Sequence, residues 1–194
     1  MSLSPETAPA GNARPGVLRP ATDEYAPFYA AYVARVPEGD LVEILERQIE
    51  ETIRPLASLT EGDAGFAYAP GKWTVREVVG HVIDAERVFA YRALRFARGD
   101  ATPLPGFDEQ EWARASNADD RPLADLLAEL RTVRAATVAL LRPLPPEAWL
   151  RRGEANGIRC TVRALATIIT GHELHHRAVL EERYYPAIGV GVSS

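Results

Sequence analysis

Residues 161–179 read TVRALATIITGHELHHRAV. Val162, Leu165 and Ile169 step by three and four, which is the spacing of one helix face. His172, His176 and Val179 continue the same steps, so two histidines extend an apolar stripe into a core. His172 and His176 lie about one helical turn apart, and both rings can address one ion.

Outward from this helix the chain supplies three more of similar length. Thr74 and Glu77 follow the turn signal Pro70-Gly71 and predict a capping box. The helix they open runs to about Arg98, where Gly99 stops it, roughly 35–40 Å at 1.5 Å per residue. Asp40 and Glu43 open another, with the stripe Leu41, Ile44, Leu45, Ile49 and Ile53, which Pro55 kinks or ends. A third starts at Pro122, carries Leu123, Leu126, Leu127, Leu130 and Val133, and stops at Pro143, Pro145 and Pro146. The quoted helix begins near Thr161 and reaches about Tyr184, before Pro186.

A short helix from about Glu24 to Val36 places Tyr25, Phe28, Tyr29 and Tyr32 on one side. No segment shows the apolar–polar alternation of a half-buried strand. The connection from Gly99 to Arg121 is long for a helix–helix loop. Together these features predict an all-α fold, a four-helix bundle with a long crossover connection and a short extra N-terminal helix. Residues 1–20, rich in proline and glycine, read as a disordered tail; 21–187 read as the bundle and 188–194 as a flexible C-terminal tail.

Composition narrows the function. A net charge of −5 gives no case for a protein that coats nucleic acid. No window approaches the roughly 18 apolar residues of a membrane span, and the N-terminus lacks the apolar core of a signal peptide. With Cys160 as the only cysteine no intrachain disulfide forms, and the expectation is a cytoplasmic protein. Cys160 itself reads as an inert apolar residue rather than a nucleophile.

The four histidines all fall on the long helices: His81, His172, His175 and His176. His81 shares a face with Val78, Ala85 and Val88, so it too points inward. The two histidine-bearing helices echo one another, each opening with Thr-Val-Arg (Thr74, Thr161) and later carrying Gly-His. Three neutral imidazoles meeting in a bundle core make a site for one divalent metal. The bland alternative is a set of hydrogen-bonded core histidines. A competing motif is H-E-x-x-H from His172 to His176, with Glu173 as a general base. The longer protease signature is absent, since Arg177 to Arg183 contain neither glycine nor histidine. Helical angles alone discriminate weakly between His175 and His176 as partner to His172.

Around these histidines stand further candidates. Asp84, one turn from His81, is read as a base or orienting group, or as an ion-pair partner of Arg87. Glu173 is the other catalytic candidate, although it lies about 100° off the stripe. Arg92 and Arg95 are candidates for binding an acidic thiol cofactor, or belong to a solvated face. Trp73, Trp112 and Trp149 read as core or hinge anchors.

The run Pro70-Gly71-Lys72-Trp73-Thr74, continuing through Glu77, Gly80-His81, Asp84 and Glu86, resembles the second helix of the DinB/YfiT superfamily. Gly171-His172-Glu173 through His176 resembles its fourth helix. The segments Pro103 to Asp108 and Arg152 to Gly157 are similar to the DinB-like subgroup, and the likeness covers about residues 24–185. The resemblance implies a bundle, often homodimeric, whose His81, His172 and His176 hold nickel, zinc or a similar ion. It tips the ligand choice to His176 over His175. It also implies a small-molecule substrate and three possible functions. These are thiol S-transfer with a low-molecular-weight thiol such as bacillithiol or mycothiol, hydrolysis by activated water, or a stress-response module without catalysis. It gives no ground for nucleic-acid or membrane partners.

Overall fold

The computed structural model describes residues 19–190. Short elements lead into the bundle: α1 (Ala30–Arg35) follows a 3-10 turn, Pro27–Tyr29. Then come α2 (Leu41–Leu56), α3 (Glu61–Ala64) and α4 (Val75–Ala97). α5 (Glu109–Ala115) lies in the crossover before α6 (Leu123–Leu141) and α7 (Pro146–Trp149). α8 (Val162–Val179) passes through a π-helical turn, Leu180–Tyr184, into α9 (Tyr185–Ile188). The bundle is α2, α4, α6 and α8, with α4 packed on both α6 and α8, α2 on α6 and α8, and α1 laid against α8.

The predicted helix starts have the expected chemistry. Thr74 Oγ1 accepts from Glu77 N at 3.1 Å while Glu77 Oε2 accepts from Thr74 N at 2.9 Å, which satisfies two otherwise free amides at the head of α4. Asp40 caps α2 by accepting from Val42 N and Glu43 N. α4 ends where Gly99 takes φ +76°. The predicted first and last tails fall mostly on residues 1–18 and 191–194, outside the described residues. Arg19 and Pro20 are described and engaged: Pro20 is buried, and Arg19 donates to the carbonyls of Val33 and Val36.

Two details depart from the sequence reading. A small antiparallel hairpin, β1 (Arg152–Ala155) with β2 (Ile158–Thr161), precedes α8. Its turn is Asn156-Gly157, both at positive φ, as a tight two-residue hairpin requires. Four-residue strands are too short to register as alternation, but the Asn-Gly pair was the available signal. The hairpin is functional in the packing: Leu104 from the crossover bridges to Ala155, which ties the long connection down. The short N-terminal helix is also briefer than its tyrosine pattern suggests, since regular α-helix begins only at Ala30.

The glycine before His172 sets how closely α1 can approach. A Cβ on Gly171 would meet the Tyr32 carbonyl oxygen at 2.1 Å, a backbone atom that cannot rotate away. At Gly80, before His81, the corresponding neighbour is the Ala118 methyl at 3.1 Å. Gly171→Ala is therefore expected to cost about 1–3 kcal/mol through overpacking, offset by at most about 1 kcal/mol of helix propensity. Gly80→Ala is expected to be milder. Thermal melts of the two variants check this; equal midpoints would show that α1 moves away freely.

Candidate metal centre

α4 and α8 lie side by side and turn their histidines toward one another. His81 Nε2 and His172 Nε2 are 3.0 Å apart. One nitrogen from each of His81, His172 and His176 can be chosen so that all three lie within 4.8 Å of one another. Three ligands at about 2.0–2.1 Å in a tetrahedral arrangement stand roughly 3.3 Å apart, close to the His81–His172 separation. His175 is not in the trio. Its ring sits against Tyr32 and His176, at 5.3 and 5.1 Å between centroids.

The electrostatics suit a cation. Burial, and then the neighbouring His175, lowers the His81 pKa to about 4. Burial, followed by His81 and His175, lowers His176 to about 3. His172 is held well below its ordinary value, first by burial and then by the other histidines. All three rings are thus neutral near pH 7 and offer lone pairs, and the donor set fits a divalent transition ion. Aromatic rings brace them: Trp73 lies 4.6 Å from the His81 ring, while Tyr32 and Phe89 flank His172 at 5.5 and 6.1 Å.

The trio lines a cavity of about 360 Å³ whose other walls include Tyr29, Phe89, Phe107 and Arg92. Trp73 is shared with a smaller cavity of about 220 Å³ that reaches Lys72 and Tyr184. Tyr184 fixes Trp73 by donating to its carbonyl oxygen at 2.8 Å. The core role expected of tryptophan holds for Trp149, which is buried, whereas Trp112 is substantially exposed against Phe107.

The other sequence candidates separate. Asp84 does not line the cavity; it faces Arg87 at 3.6 Å, which in turn pairs with Glu129 at 2.6 Å. Glu173 is buried outside the cavity lining, its Oε2 accepting from Gln48 Nε2 at 2.7 Å and from Arg134. It therefore does not take the general-base position that H-E-x-x-H suggests. Arg95 is turned outward to Asp100 and Tyr91. Arg92 is buried and lines the cavity. Cys160 is buried, and burial pushes its thiol up to about 11, which leaves it protonated and unreactive.

Arg134 was missed in the sequence. It occupies the helix face of Leu127, Leu130, Val138 and Leu141, and an arginine within an apolar stripe was the signal. It binds Glu86 through two hydrogen bonds of 2.9 Å, donates to the Leu45 carbonyl at 2.9 Å, and also pairs with Glu173. One guanidinium thereby joins α2, α4, α6 and α8.

Comparison with known proteins agrees with this architecture. A relative from Geobacillus thermodenitrificans, named "Putative metal-dependent hydrolase", is 26% identical over 135 residues, covering 68% of this chain and 76% of that one. "Putative metal-dependent hydrolase YfiT" of Bacillus subtilis is 24% identical over 163 residues, covering 82% and 89%. The solved structure of YfiT, described as having "an unusual four-helix bundle topology", superposes with a TM-score of 0.70 at 23% identity, over 78% of this chain and 87% of that one. A DinB-like protein of the same bacterium gives 0.58 at 21% identity, over 79% and 94%. These two likenesses establish the fold. The family model of the DinB superfamily matches residues 44–180, a span that contains all three histidines, and the chain belongs to that superfamily.

Proposed function

We propose that the chain is a metal-dependent enzyme, with His81, His172 and His176 as ligands, and that it activates a low-molecular-weight thiol for S-transfer. The observation that carries this reading is the setting of the trio. Three neutral imidazoles open onto a cavity with aromatic rings in its walls, where Glu109 is the one lining carboxylate and neither Asp84 nor Glu173 reaches. A divalent ion held there lowers the pKa of a thiol or water that it takes up, which supplies a nucleophile at neutral pH without a separate base. The residues do the rest: Trp73, Tyr32 and Phe89 hold the imidazoles in place, and the aromatic walls accept the apolar body of an electrophile.

The names of the relatives favour a second reading, in which water is the nucleophile and the enzyme is a hydrolase. The two readings part on the acceptor. Protein loaded with zinc or nickel is presented with an activated aryl halide and with an activated ester, each with and without cysteine, bacillithiol or mycothiol. Thiol transfer predicts metal-dependent consumption of the halide only when a thiol is present. Ester turnover with water alone and no thiol-dependent reaction would replace the first reading with the second. No metal-dependent turnover of either compound would overturn both.

A further inference from the structure

Arg92 and Arg134 are both buried arginines, and their surroundings differ in one respect. Arg134 is balanced by Glu86 and Glu173. Arg92 is 5% exposed, yet no carboxylate among the described residues lies within ion-pair distance of it. Its one described hydrogen bond runs from Nη2 to the Pro105 carbonyl oxygen at 2.8 Å. The guanidinium lies near both Phe89 and Phe107, with Cζ 5.7 and 5.9 Å from the ring centroids. A buried cation without a counter-ion is expensive, and burial lowers the Arg92 pKa. A guanidinium so placed still has N–H donors to offer as a planar fork.

We infer that Arg92 is the anchor for a carboxylate on the substrate, and that the enzyme selects carboxylic acids with an apolar or aromatic body. The inference rests on the reading of this cavity as the substrate site. The guanidinium sets the class. Arg92 is the only arginine or lysine among the described cavity-lining residues, and Glu109 adds a negative charge to the same wall. The planar guanidinium fork matches the two oxygens of a carboxylate. The spacing sets the body: the Phe89 ring is near both Arg92, at 5.7 Å, and His172, at 6.1 Å. A carboxylate on Arg92 therefore extends the remainder of a small aromatic acid along Phe89 toward the trio. Arg95, on the same helix, has its partner in Asp100 and takes no part.

Calorimetric titration of phenylacetate and its neutral isostere phenylacetamide into the full-length, metal-loaded protein tests this, with a repeat after chelator treatment. The acid is expected to bind at least about tenfold more tightly than the amide, as one charge-assisted hydrogen-bonded pair allows. The preference should persist with chelator, should vanish in Arg92→Met and should survive in part in Arg92→Lys. Equal affinities for acid and amide in the wild type, or no binding of the acid at millimolar concentration, overturn the inference without any variant. A preference that disappears with the metal, or that Arg92→Met leaves intact, overturns it as well. The chelator arm keeps this outcome separate from the fate of the metal reading.

Discussion

Arg134→Met is expected to be the most damaging single substitution away from the histidines, costing about 3–5 kcal/mol. The methionine fills much of the volume, but it leaves Glu86 and Glu173 as two carboxylates with 2% and 1% side-chain exposure and no cation between them. Breaking one partner of a buried ion network strands the other charges in a medium that solvates them poorly. The Leu45 carbonyl loses its donor too. For a domain of this size the loss corresponds to roughly 6–20 °C in thermal midpoint. The triple substitution Arg134→Met, Glu86→Leu, Glu173→Leu is expected to recover much of it, because an apolar core needs no compensation. Urea denaturation with unchanged slope checks the first value. A loss below about 1 kcal/mol would show that water reaches the carboxylates.

The network also bears on the site. Glu173 follows His172 directly on α8, and Glu86 lies on α4 five residues after His81. A guanidinium that holds both carboxylates ties together the two histidine-bearing helices.

Much of this was legible in the residues. The bundle follows from four stripes at helical spacing, and the α4 start from Thr74 and Glu77, because caps and periodicity are local chemistry. The convergence of His81 with His172 and His176 is readable in part, since each extends an apolar stripe. What stayed hidden is relational. Glu173 lies off the stripe of α8, and only its contact with α2 and α6 shows that this second face is buried as well. Arg92 and Arg95 are three residues apart and alike in sequence. Their division into a cavity-facing and an outward side chain depends on Phe107 and Pro105 of the crossover and on Asp100. The hairpin was concealed by its brevity, although Asn156-Gly157 announced its turn.

The second large effect is on the metal. An ion present at a hundred times its dissociation constant stabilises the fold by about 2.7 kcal/mol, or roughly 5–11 °C. His81→Ala, His172→Ala and His176→Ala should each abolish that rise, because the two remaining imidazoles hold an ion weakly. His175→Ala should preserve it, since that ring lies outside the trio. The most direct measurement is metal content by elemental analysis of these four variants, each shown to be folded by circular dichroism. The account predicts about one ion per chain in the wild type and in His175→Ala, and a small fraction of that in the other three. Loss of metal in His175→Ala with retention in His176→Ala, or unchanged metal content in all four, would contradict it.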